Sequence, residues 1–234
     1  PPSFFPKNWK VENFVEAATR GSISFLRMFL NTMMIAVPTT VFNIIFSSMA
    51  GYAFARLRFP FRNAIFMIFI ASMMVPYAIT LIPRFLLFKD LGFYDTYIPL
   101  IVPVMFGTAF SIFLTRQFFM TLPKELEEAA IVDGCSWPGV FFRIIMPNSK
   151  PAIATVIILS FRSTWNSFLW PQLVLQTDRL WTWTLALKIL SESETNQAVL
   201  LAGSVISILP ILIIYLACQK YFVNSQVSAG FGGT

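Results

Sequence analysis

The sequence predicts an all-α protein, a polytopic bundle of membrane-spanning helices. Two observations carry that prediction. Of the 234 residues, 56% are hydrophobic and only 12% charged, with a mean hydropathy of +0.70. Soluble domains carry about a quarter charged residues. The apolar residues are also gathered into five runs, near 28–54, 63–88, 97–119, 152–171 and 198–222. Each run reaches the roughly 20 residues that a helix needs to cross about 30 Å of hydrocarbon.

Residues 1–24 are mixed and polar, with Lys7, Lys10, Glu12, Glu16 and Arg20, and read as an extramembrane segment holding one short helix. In the first run Ser47, Gly51 and Ala55 recur at i, i+4, i+8, a spacing that lets helices approach closely in lipid; Gly203 and Ser207 repeat it in the fifth. Pro38, Pro76, Pro83, Pro103 and Pro210 fall inside runs. Prolines are tolerated there because neighbouring helices satisfy the freed carbonyls, so simple kinks are expected.

The 120–150 stretch is polar and lies between apolar runs. Pro123 stands where a first helical residue would be, with φ preset and no donor to lose. Glu125, Glu127 and Glu128 follow where acids favour a helix N-terminus. Gly134 supplies a left-handed stop. Leu126, Ala129 and Ala130 share one face by spacing, and a short helix with a flat alanine face docks closely into a groove.

Orientation follows from loop charge. The loop after the first run carries Arg56, Arg58 and Arg62 with no acid, whereas the next carries Lys89 against Asp90 and Asp95. The positive-inside rule puts the first in the cytoplasm. The 120–150 loop, with Arg116, Lys124, Arg143 and Lys150, then lies on the same side, as do Lys220 and the tail 224–234. Residues 1–24 and 172–197 are expected outside. An external start without a signal peptide implies a sixth span upstream.

The composition also excludes chemistry. There is no His, no HExxH and no Gly-Lys pair for a phosphate-binding loop, so neither metal nor nucleotide chemistry is expected in this chain. Cys135 and Cys218 are distant and read as buried or loop thiols. The net charge of +6 comes from scattered basic residues flanking apolar runs, which points to membrane topology and to no nucleic acid.

Several stretches then converge on one family. Glu128-Ala129-Ala130, Gly134 and Ile144-Ile145-Met146-Pro147 have the spacing of the cytoplasmic EAA loop of ABC-importer permeases. Gly51-Tyr52-Ala53-Phe54-Ala55-Arg56, Phe118-Phe119-Met120-Thr121-Leu122-Pro123, Trp165-Asn166-Ser167-Phe168-Leu169-Trp170-Pro171 and Gln219-Lys220-Tyr221-Phe222-Val223 resemble carbohydrate importers. The resemblance is to the smaller permease subunit of the maltose-type family, from about residue 25 onward. It implies a type I ABC-importer permease in the cell inner membrane and the lipid bilayer. It implies a heterodimer with a second permease subunit, two ATPase subunits and an external solute-binding protein. ATP and Mg would bind the ATPase, not this chain, and the chain is not expected to be an enzyme. The spaced motif makes Glu128, Ala129, Ala130, Asp133, Gly134, Ile144 and Pro147 the expected ATPase-coupling residues.

Substrate-path expectations fall on Arg162, Trp165, Asn166 and Arg84. Arg162 lies about eleven residues into the fourth run, roughly 16 Å deep at helical rise. Lipid exposure there carries a penalty of about 2.5–3.5 kcal/mol or more, so it is expected to point into the bundle. It either binds a negative cargo or pairs with an acid of the second permease. Should it bind cargo, a uronate oligosaccharide or a glycerol phosphate is implied. Arg84 is expected to snorkel to the interface rather than bind. In the 172–197 loop, Trp181, Trp183, Glu192 and Glu194 form either an interfacial belt or, as the resemblance suggests, a contact with the binding protein. An ion-coupled secondary transporter is the alternative. It is disfavoured because no Asp or Glu lies inside a predicted span. A membrane anchor without transport leaves the coupling loop unexplained.

Overall fold

The computed structural model describes residues 10–19, 25–192 and 197–230. Among these residues thirteen α-helices follow one another: α1 Glu12–Thr19, α2 Phe25–Arg56, α3 Arg62–Ser72, α4 Tyr77–Asp90, α5 Ile98–Met105, α6 Ala109–Thr121, α7 Glu125–Val132, α8 Trp137–Val140, α9 Met146–Asn148, α10 Lys150–Trp165, α11 Leu169–Val174, α12 Trp183–Glu192 and α13 Gln197–Gly230. Among the described residues three stretches are long and apolar enough to cross a membrane: the single helices Leu26–Arg56 and Gln197–Tyr221, and Ile98–Thr121, which α5 and α6 make together. Two bent pairs bring the total to as many as five.

α2 is the hub, with α5, α6, α10 and α12 packed along it. Pro38 leaves it unbroken. Its contact with α6 is close because residue 51 has no side chain: a Cβ there would meet the Arg116 backbone N at 2.9 Å. Beside it, the Thr115 hydroxyl reaches the Ser47 and Ser111 carbonyls, both at 2.9 Å, bonding one helix to the next. One turn up, Asn43 joins three helices. Its Nδ2 donates to Ser160 Oγ on α10 at 3.0 Å and to Ser111 Oγ on α6 at 3.3 Å. Its Oδ1 accepts the Thr108 amide at 3.2 Å, where α6 begins. All of these side-chain groups sit deep in the bundle, where an unpaired polar atom is expensive.

The second predicted run is not one straight span. α3 and α4 meet at 98° across Met73–Pro76. Pro76 is extended at ψ 132°, lacks an N–H and restrains Val75, so the helix ends there instead of kinking. The fourth run also differs. α10 stops at Trp165, and α11 resumes at Leu169. At its other end α10 is bent by 80° from the α8–α9 stretch. Pro147 and Pro151 each remove a donor there, and the Ser149 hydroxyl and Asn148 amide take up the Ile145 and Ile144 carbonyls at 2.7 Å each. The predicted tail from residue 224 is helical as far as Gly230, as a continuation of α13.

α1 packs on α13 through Ala17, which shares a core with Met28, Val199 and Ala202. Replacing Gly51 with Val should force α2 from α6 and lower stability by about 1–3 kcal/mol, as overpacking does. Thermal unfolding of the detergent-purified protein checks this; an unchanged midpoint would mean the two helices tolerate separation.

Candidate functional site: coupling helix and membrane cavity

Two features stand out at opposite ends of α2. At the Arg56 end lies α7. Three acids begin it, Glu125, Glu127 and Glu128. It ends in a left-handed turn at Gly134, φ +82°, with the Gly134 N–H donating to Ile131 O and the Cys135 N–H to Ala130 O, both at 2.9 Å. This paired closure satisfies the last carbonyls and turns the chain toward α8.

The predicted flat face of Leu126, Ala129 and Ala130 is divided. Ala130 is buried among Tyr52, Phe119, Val140, Phe141 and Ile145, whereas Leu126 and Ala129 face outward. Ala130 therefore anchors the helix instead of presenting a docking surface. The free face is Glu128, Ala129, Val132 and Asp133, with Gly134 beside it. Ile144 is half-buried and Pro147 exposed. Between α8 and α9 the chain makes one π-helical turn, Phe141–Ile145, which turns Phe141 and Ile145 inward while Phe142 and Arg143 face out. Such turns are rare and concentrate at functional positions.

Sequence reasoning missed Glu127. It is buried, and its Oε1 lies 2.6 Å from Arg56 Nε at the end of α2. That N–H is not aimed at the oxygen, so the contact is an ion pair and not a hydrogen bond. The Tyr52 hydroxyl donates to Glu127 Oε2 at 3.2 Å, and Arg56 Nη2 donates to Leu122 O at 2.6 Å. The long span, the turn before α7 and α7 itself are thereby locked together. A signal was present: Glu127 is three residues from Ala130 and shares its inward face.

At the other end of α2 is a cavity of about 500 Å³. Thr32 and Ile35 of α2, Tyr77 and Arg84 of α4, Pro99, Leu100, Pro103 and Val104 of α5, Ser163 and Thr164 of α10, and the 166–171 stretch line it, with Thr182. It exists because both broken spans open there: α4 turns back toward α11, and the gap between α10 and α11 exposes Asn166, Ser167 and Phe168. Asn166 caps α10, its N–H donating to Arg162 O at 3.0 Å. Trp170 donates from Nε1 to Pro99 O at 2.8 Å, which fixes the ring. Arg84 lies over the Tyr77 and Trp170 rings, 5.5 Å from each centroid.

The expected path residues divide accordingly. Arg84 and Asn166 line the cavity. Arg84 does not snorkel outward, because the ring faces of Tyr77 and Trp170 draw it in. Trp165 is not on the wall: it is fully buried, stacks on Phe161 and donates to Ser207 O of α13 at 3.0 Å. Arg162 stands in the last turn of α10, where a cation suits the helix C-terminus. It is exposed, lies outside the cavity lining, and has no polar partner among the described residues.

The 172–192 segment is packed in more than predicted. Trp183 is 2% exposed, against Phe29 of α2, so it serves neither as belt nor as partner contact. Its amide donates to Thr32 Oγ1 at 2.8 Å. Trp181 is half-buried, and its carbonyl takes Asn31 Nδ2 at 3.0 Å. The i, i+3, i+4 spacing of Trp183, Ala186 and Leu187 was the overlooked inward signal. Glu192 is exposed and pairs with Lys188 at 3.4 Å; Glu194 lies outside the described residues. Asp95 ties this segment to the 91–97 loop, its Oδ1 accepting the Gln176 and Thr177 amides at 2.8 and 2.9 Å. Burial alone would raise the Asp95 carboxyl, but the Thr177 hydroxyl and these two amides outweigh it and hold it below the usual carboxylate range.

Breaking the buried pair is informative. Glu127→Gln or Arg56→Met should each destabilise the protein by about 3–5 kcal/mol, and Arg56→Met with Glu127→Leu should recover most of the loss. Detergent melting together with protease cutting within 120–150 reads both effects; simply additive losses would count against the lock.

Residues 43–225 match the family model described as binding-protein-dependent transport system inner membrane component. The arabinooligosaccharides transport system permease protein AraQ of Bacillus subtilis is 38% identical over 97% of this chain and 81% of its own length. The sn-glycerol-3-phosphate transport system permease protein UgpE of Pectobacterium atrosepticum is 33% identical, over 92% of this chain and 78% of its own. Among solved structures, a bacterial ABC transporter that imports the acidic polysaccharide alginate superposes with a TM-score of 0.77 at 28% identity, over 90% of this chain and 79% of that one.

Proposed function

From the premise that this chain belongs to the inner-membrane components of binding-protein-dependent transport systems, we propose that it forms half of an importer's translocation path for an oligosaccharide or a related polyhydroxylated solute. The family is one of transport permeases and not of enzymes, and the chain is a multi-pass inner-membrane protein. The observation that carries the proposal is α2 itself. It bears the locked coupling helix at one end and the cavity at the other, so movement at α7 reaches the cavity through one continuous helix.

The rest of the assembly follows from that reading. Two ATPase subunits use ATP and Mg, one of them seated on the Glu128, Ala129, Val132 and Asp133 face. A second permease completes the path, and an external binding protein delivers cargo. The Arg58 and Arg62 loop and the 120–150 loop face the cytoplasm, in keeping with the positive-inside rule. Hydroxyl and amide groups of Ser163, Asn166 and Ser167 on the cavity wall, beside Tyr77 and Phe168, suit a sugar's alternating polar edge and apolar face. The relatives are named for arabinooligosaccharides and sn-glycerol 3-phosphate, and the solved importer for alginate, all polyhydroxylated.

Glu128→Lys and Ala129→Trp should each lower cargo-stimulated ATP hydrolysis by about tenfold, the loss of roughly 1.4 kcal/mol of docking. Hydrolysis by the reconstituted complex, and recovery of the ATPase subunits with the tagged permease, measure this. Normal stimulation in both variants would remove α7 as the coupling surface.

Arg162, exposed and unpaired, is assigned to the second permease and not to cargo. Its guanidinium cannot discharge, and no acid among the described residues pairs with it. Arg162→Met should weaken co-purification of the two permeases in detergent. Intact co-purification accompanied by failed uptake would return Arg162 to the cargo path.

A further inference from the structure

The cavity wall carries one charge among the described residues, Arg84, and no carboxylate. We propose that Arg84 is a specificity residue that binds an oxyanion, carboxylate or phosphate, on the polyhydroxylated cargo. The inference rests on the permease reading above and names the cargo's charge.

Four observations support it. First, Arg84 is half-buried and forms no ion pair or hydrogen bond with any described residue. A guanidinium held away from bulk water without an anion is costly, and charges at membrane depth are kept for a purpose. Second, its position is not that of a snorkelling side chain. Arg84 is on α4 six residues before Asp90, where its stem could carry the head outward to the interface. Instead its Cζ lies 5.5 Å from both the Tyr77 and Trp170 centroids, turned into the cavity. Third, the platform is rigid. Trp170 is 6% exposed, tied to Pro99 O at 2.8 Å and packed edge-on against Phe88 at 6.2 Å. Contacts through the ring faces leave the in-plane N–H groups of Arg84 unused. That planar fork matches the two oxygens of a carboxylate or phosphate. Fourth, Asn166 and Ser163 share the same cavity and offer amide and hydroxyl groups to the cargo's neighbouring hydroxyls.

The test uses the full importer in proteoliposomes, with the second permease, the ATPase subunits and the cognate binding protein. Three probes are compared: a hexuronate oligosaccharide, the same oligosaccharide with its carboxyls reduced to alcohols, and sn-glycerol 3-phosphate. Wild type should take up at least one of the anionic probes. Arg84→Gln should lower the ratio of anionic to neutral uptake by about tenfold or more, the loss of one charge-assisted hydrogen-bonded contact. Arg84→Lys should recover part of that ratio, since it keeps the charge and loses the fork. Which anionic probe responds tells a carboxylate from a phosphate. An unchanged ratio, a uniform loss across probes, or weakened co-purification of the permeases in Arg84→Gln would overturn the assignment, as would uptake of only the neutral probe by wild type. Failure of wild type to import any of the three, with no cargo-stimulated ATP hydrolysis, would instead defeat the permease reading beneath it.

Discussion

Hydrocarbon offers no water to a polar group, and much of this fold follows from how α2 meets that constraint. Asn43 uses both ends of its amide to hold α6, α10 and the start of α6 together. Above it Asn31 and Thr32 take up the Trp181 carbonyl and the Trp183 amide, and below it Ser47 meets Thr115. Arg56 closes the series on Leu122 and Glu127. Each bond is directional, so the neighbours are fixed in register where apolar packing alone would let them slide.

In the proposed function that register matters, because α2 then links the coupling helix to the cavity. From Thr32 to Arg56 is 24 residues, about 36 Å at helical rise. The Arg56 end is bound to α7 by a buried ion pair, and the Thr32 end forms part of the cavity wall. A stiff helix anchored at both ends transmits displacement better than a chain of loose contacts. The buried pair is a poor source of stability compared with apolar packing, but it ties two elements to one position.

The cavity arises from broken helices. Pro76 ends α3, and the gap at Asn166–Phe168 ends α10, so polar backbone and side chains are exposed where α4, α5 and α11 face one another. Irregular backbone is tolerated at membrane depth only when it is buried in protein or lines a cavity. The same breaks moved Arg162 to a helix end and brought Arg84 inward.

The apolar runs, the basic loop and the spaced motif around Glu128 and Gly134 were legible in the chain, because each rests on local composition or on neighbours a few residues apart. The helical class, the short helix α7 and its left-handed stop followed from them. The burial of Trp165 was not, and for Glu127, Ala130 and Trp183 the i, i+3, i+4 spacings marked a shared face without naming the helix it meets. Each depends on which face of a helix meets another helix, and in a chain apolar on all sides the periodicity is too weak to say. Arg84 and Arg162 exchanged their expected places for the same reason. Depth along a run can be counted from sequence, but only tertiary packing decides where a span breaks and which aromatic rings stand beside a charge.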